Sequence, residues 1–135
     1  MRVLMAAAVL ALCLARMATA AEITVGLASV DDGKPTRYDG GNFSGQLVDG
    51  SRFTDGMTVA HRELPIGSCV EVSRIGRDAN VHLARIDDRG PCATPQCQAR
   101  APHLLKRKID LKPKLASALG CDGLCAVAFW PAPCR

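Results

Sequence analysis

Six cysteines limit what this chain can fold into. Cys69, Cys92, Cys97, Cys121, Cys125 and Cys134 lie in the second half of the sequence, while a seventh, Cys13, sits in an apolar N-terminal run. One Trp, one Tyr and three Phe leave few large side chains to fill a core. Small exported domains with this shortage are held by cross-links instead. An even number of thiols reads as three disulfides, with the connectivity left open. The most plausible local pair is Cys92 with Cys97, since it would close a short loop just after Gly90-Pro91. The spacings Cys92-x4-Cys97 and Cys121-x3-Cys125 are not zinc signatures, so no metal is expected on these thiols with His61, His82 or His103.

The N-terminus explains why oxidised thiols are expected. Arg2 precedes an apolar run from Val3 to Ala15, then Arg16-Met17 and the small-residue triplet Ala18-Thr19-Ala20. This is the pattern of a secretory signal with an A-x-A cleavage site. The run is too short to cross a bilayer, which takes about 20 residues of helix. Residues 1–20 are therefore expected to be a signal peptide and residues 21–135 a single domain, exported to the periplasm or beyond the cell. Leu12 precedes Cys13 where lipoprotein processing wants a small residue, so no membrane anchor is expected after cleavage. Loss of Arg2 and Arg16 lowers the net charge from +4 to +2. That balance is too mild to point to nucleic acid.

Along the mature chain, Glu22 to Ser29 alternates loosely and suits a first strand, followed by a Gly- and Asp-rich loop from Asp31 to Gly50. Met57 to His61 is a short strand and Leu64 to Gly67 a turn. Cys69 to Ile75 places Val70 and Val72 on one face, and a turn over residues 76–80 leads into a returning strand, Val81 to Ile86. That strand delivers the chain to Asp87-Asp88-Arg89-Gly90-Pro91, two adjacent carboxylates before a turn. Cys92 to His103 shows no regular pattern. Pro113 to Leu119 is a helix, with proline in its first turn and Gly120 at its end. Cys125 to Trp130 is a last strand that Pro131 should end. Short strands with Gly/Pro turns indicate a small β-barrel or sandwich.

Six motifs then stand in a telling order: Gly26-Leu27-Ala28-Ser29, Asp49-Gly50-Ser51-Arg52-Phe53, Thr58-Val59-Ala60-His61, Leu64-Pro65-Ile66-Gly67, Asp88-Arg89-Gly90-Pro91 and Ile109-Asp110-Leu111. Together they resemble the RlpA-like (rare lipoprotein A) family of bacterial lytic transglycosylases, over nearly the whole mature chain. The resemblance implies a mainly β fold, a six-stranded double-psi β-barrel with one or two short helices. It implies a peptidoglycan-acting monomer that binds glycan strands and needs no cofactor. Matched motif by motif, it implies Asp88, Asp110 and His61 as catalytic residues and Arg89, Ser51 and Ser29 as substrate-binding ones. The chain departs from the family at Ser51, where a glutamate is usual, and at Val30-Asp31, where an aromatic pair is usual.

Cleaving a glycosidic bond needs a proton for the leaving oxygen and stabilisation of an oxocarbenium-like transition state. In a lytic transglycosylase a hydroxyl of the same muramyl sugar attacks, leaving an anhydro end. One carboxyl group can act as acid and then base, provided that it stays protonated near neutral pH. Asp110, between apolar residues, is the better placed to be desolvated; it could instead meet the N-terminus of the Pro113 helix. Asp88 and Asp87 should point to opposite faces if strand alternation holds. His61 either orients substrate or closes the strand end by bonding backbone, and Arg89 either reaches substrate or anchors its loop. A non-catalytic polysaccharide-binding barrel is the alternative, which Ser51 favours. A disulfide-rich secreted effector would show no affinity for peptidoglycan.

Overall fold

The computed structural model describes residues 21–33, 47–48, 52–76 and 80–135. The expected signal peptide, Ser51 and much of the long loop after β1 lie outside the described residues. Six strands form the fold: β1 (Thr24–Val30), β2 (Thr58–Ala60), β3 (Cys69–Arg74), β4 (Val81–Asp88), β5 (Arg107–Leu111) and β6 (Cys125–Ala132). They close into a barrel in the order β1-β5-β2-β4-β3-β6. The sheet is mixed: β1 runs parallel to β5 and β2 parallel to β4, while the other four pairings are antiparallel. The fold is thus mainly β, a closed six-stranded barrel with short helices, as the sequence led us to expect.

Alternation along each strand fills the interior. Val59, Val70, Val72, Ile86, Ile109, Leu111, Val127 and Phe129 are all fully buried. Burying each such side chain contributes about 1.5–3 kcal/mol relative to leaving it exposed. Helix α2 (Pro113–Leu119) adds Leu115, Ala116 and Leu119 to the same core. Its bounds are those expected, and it ends because Gly120 takes the left-handed conformation, φ 67°, that favours glycine.

Three disulfides join Cys69 to Cys134, Cys92 to Cys97 and Cys121 to Cys125, with Cα–Cα separations of 5.3, 5.3 and 5.7 Å. The first fastens the C-terminal segment to the start of β3. The second closes the loop after Pro91, as its spacing suggested.

Three local expectations need correction. The stretch from Cys92 to His103 is not irregular: it holds helix α1 (Pro95–Arg100) and the start of a 3₁₀ turn, Pro102–Lys106. Thr94 starts α1 by accepting the Cys97 N–H at 3.2 Å, ahead of a proline at the first helical position. Strand β4 does not stop at Ile86 but continues through both carboxylates to Asp88. Strand β6 runs past Pro131, which pairs with Val70. Proline is tolerated there because β1 pairs with β6 only as far as Phe129, so its nitrogen lies on an edge.

Candidate active site

The site begins with a register coincidence. Asp110 lies on β5 between Ile109 and Leu111, which both enter the core, so its side chain takes the outward face. Its cross-strand partner on β1 is Ser29 and on β2 is Ala60. Ala60 in turn is partnered on β4 by Asp88. Ser29, Asp110, Ala60 and Asp88 therefore form one row across four adjacent strands, with a methyl group between the two acids.

A register slip on β4 creates this row. Val59 pairs with Ile86, but the next residue, Ala60, pairs with Asp88, leaving Asp87 as the extra residue. Asp87 does not join the row. It forms a buried ion pair with Lys112, the two residues being 4% and 2% exposed. The Phe53 ring covers the Lys112 ammonium at 4.9 Å, while the second carboxylate oxygen of Asp87 has no hydrogen-bond partner among the described residues.

Asp110 is closely held. Its Oδ1 accepts a hydrogen bond from the Ser29 hydroxyl, and it does not turn towards the helix that follows. The N-terminus of α2 is instead met by Asp55, whose Oδ1 accepts the Lys114 N–H at 2.8 Å. The turn after β4 packs against Asp110: a Cβ placed on Gly90 would stand 2.9 Å from Asp110 Oδ2 and 3.6 Å from the Ala60 methyl. With φ of +152°, that position also favours glycine on backbone grounds. Burial raises the Asp110 carboxyl to about 7; the Ser29 bond pulls it down, the Asp31 charge raises it, and Arg107 and Arg62 lower it. Asp88 is also raised, by burial first, against backbone hydrogen bonds from Arg89 and Val48. The Val48 N–H reaches Asp88 Oδ1 at 3.1 Å.

His61 follows the row on β2. Its N–H donates to the Asp88 carbonyl at 3.1 Å, and its Nδ1 accepts the N–H groups of Glu63 and Leu64, both at 3.0 Å. The ring therefore closes the strand end, and the proton of the neutral imidazole is on Nε2. Burial lowers its pKa, helped by the Arg62 charge. Arg89 gives Nη1 to the carbonyls of His61 and Leu64 at 3.1 and 2.5 Å, so it anchors the same loop.

Arg62 went unnoticed in the sequence. Its guanidinium donates to the carbonyls of Pro91, Arg107 and Leu105 at 2.7, 2.9 and 3.2 Å, tying the turn after β4 to the start of β5. A cavity of about 440 Å³ opens beside the loop, lined by Glu22, Thr24, His61, Arg62, Lys108 and Phe129 among others. No residue of the row lines it; of the side chains described around the row, His61 and Arg62 do.

The structure thus brings Ser29, Asp88 and Asp110 together, sets His61 beside them through its backbone, and places Arg89 in the supporting loop. Ser51 lies outside the described residues. Among those residues no group of three His, Cys, Asp or Glu could hold a metal ion, and no helix is long and apolar enough to cross a membrane. No protein-family model matches the chain, and no curated protein matches it.

Proposed function

We propose that this protein is an exported lytic transglycosylase that binds peptidoglycan glycan strands over the Ser29–Asp110–Ala60–Asp88 row and cleaves them to anhydro-muramyl ends. The observation that carries the reading is Asp110, a desolvated carboxyl raised to about 7, with Asp88 on the same face and one strand between them. A group with that proton affinity is half protonated at neutral pH, which suits an acid that must later serve as base. Asp110 gives its proton to the glycosidic oxygen as the bond to the muramyl carbon breaks. Asp88, as carboxylate, stabilises the positive charge that develops on the sugar. Asp110 then takes the proton of the muramyl primary hydroxyl as that oxygen closes the anhydro ring. Ser29 holds Asp110 in register throughout, and the Nε2–H of His61 orients a sugar oxygen. The three disulfides accord with an exported protein; we place it in the periplasm or outside the cell, acting as a monomer without nucleic acid or cofactor.

The second reading is a barrel of the same kind that binds polysaccharide without cutting it. The commitment of Arg89 and of His61 Nδ1 to their own loop favours it, because neither of these groups is then spare for the reaction. One experiment separates the readings. Purified glycan strands are incubated with the protein and the products analysed by mass spectrometry, with sedimentation of intact peptidoglycan alongside. Anhydro-muramyl ends that disappear with Asp110→Asn support the enzyme; sedimentation without such ends supports the binder. Neither cleavage nor sedimentation refutes both.

A further inference from the structure

Asp31 has no part in the scheme above. It follows directly on β1, and its N–H donates to the Leu111 carbonyl at 2.9 Å, one step past the last register pair, Val30 with Leu111. It comes two residues after Ser29, so the alternation of the strand puts it on the face of Ser29 and Asp110. Its Oδ1 accepts the Gly33 N–H at 2.9 Å, which fixes the carboxylate over the end of the strand. Across the ladder, the next residue on β5's path is Lys112, whose ammonium is engaged by Asp87 and Phe53.

The charges around the two groups are unequal. Asp110 is acted on by Asp31 from just past β1, by Arg107 from its own strand and by Arg62 from the loop after β2. Asp31 is raised by burial first; the Gly33 N–H bond and then the Lys112 charge pull it down, and Asp32 and Asp87 raise it. The Gly33 N–H and the Lys112 cation thus favour the ionised form of Asp31 against burial, and its side chain lies on the same face as the Ser29–Asp110 pair.

We propose that Asp31 is a positioning residue of this site, a carboxylate fixed beside Asp110 that holds the proton on Asp110. The proposal rests on the reading of Asp110 as the acid of the site. Two neighbouring acids divide their roles when the surroundings leave one charged and the other neutral. Here burial raises both acids, Asp110 being the more deeply buried, while the Gly33 N–H and Lys112 favour the charge on Asp31 alone.

The test is a carbon-13 carboxyl NMR titration of the oxidised protein. Asp31→Asn is expected to lower the Asp110 midpoint by about one unit, and Asp31→Glu to restore most of it. An unmoved midpoint in Asp31→Asn overturns the proposal. Should that variant not fold, the unaltered protein still decides. Coupled acids titrate in two steps, so the Asp110 resonance should carry a second inflection where Asp31 titrates, and a one-step curve overturns the proposal. On glycan strands the alkaline limb of kcat/KM should move down with the midpoint in Asp31→Asn. If the unaltered protein cuts no glycan, the functional reading fails while the titration still decides the role of Asp31.

Discussion

Asp110 and Asp88 share one cross-strand neighbour, Ala60, and so face the same side of the barrel with a single strand between them. If they divide the work as acid and stabilising carboxylate, their losses should differ in kind. Asp110→Asn is expected to lower kcat/KM on glycan strands by about 10²–10⁴-fold, the usual worth of a general acid. Asp88→Asn is expected to cost about 10²–10³-fold, as for the loss of one electrostatic stabiliser, without moving the pH optimum. Full activity in either variant contradicts the assignment.

Asp110 also makes stability depend on pH. Its carboxyl titrates at about 7 in the folded protein against a reference of 3.8, so between those values the folded state holds a proton that the unfolded chain has released. Stability from this group therefore falls as pH rises through that window and is level above it. Asp31 and Asp88, also raised, contribute with the same sign. His61 is lowered from 6.5, so its contribution falls instead as pH drops below that value. Urea unfolding of Asp110→Asn should show a weaker decline from about pH 5 to about pH 8 and a gain of about 1–3 kcal/mol at the upper end.

Gly90 lies close enough to Asp110 to be tested by one methyl group. Gly90→Ala adds a Cβ at 2.9 Å from the carboxylate on a backbone with φ of +152°. A loss of about 1–3 kcal/mol is expected from the backbone alone. The displaced turn should also admit water to Asp110 and bring its NMR titration midpoint down. A variant as stable as the parent, with the midpoint unmoved, contradicts this packing.

The buried Lys112–Asp87 pair should behave as such pairs do when broken from one side. Lys112→Met leaves a buried carboxylate without its cation and is expected to cost about 3–5 kcal/mol in chemical unfolding. Adding Asp87→Leu should recover most of that loss, because both charges are then gone. If the double variant is no better than the single one, the pair does more than neutralise itself.

The disulfides should rank by the loops they close. Cys69–Cys134 spans a sequence separation of 65 and Cys121–Cys125 one of 4. In the chain-entropy account the first is worth about 4 kcal/mol and the second about 2 kcal/mol. Paired Cys→Ser variants, compared by thermal unfolding under oxidising conditions, would reverse that order only if native-state strain outweighs loop closure.

What the sequence revealed followed from how local each signal was. Helix α2 carries its own start and stop, Pro113 and Gly120, and β3 carries Val70 and Val72 in alternation with polar residues. Helix α1, with six residues, is too short to show a period, and only Thr94-Pro95 marks it. The pairing of Cys92 with Cys97 could be read from spacing, whereas that of Cys69 with Cys134 depends on closure of the barrel. The row of acids is legible only as motif positions, because it depends on one slipped register between β2 and β4. Arg62, bonded to three carbonyls far along the chain, leaves no periodic trace at all.

The slip between β2 and β4 makes this segment sensitive to counting more than to composition. Asp87 and Asp88 carry the same side chain, and only their position relative to Ile86 sends one to Lys112 and the other to the row beside Ala60. Exchange of residue types in the surrounding turns leaves that count intact. Loss or gain of one residue between Ile86 and Gly90 does not, since it moves each carboxylate out of its present place in the register while leaving the composition almost the same. In a chain otherwise rich in turns that can absorb a change of length, these few positions form a stretch whose length the site cannot let vary.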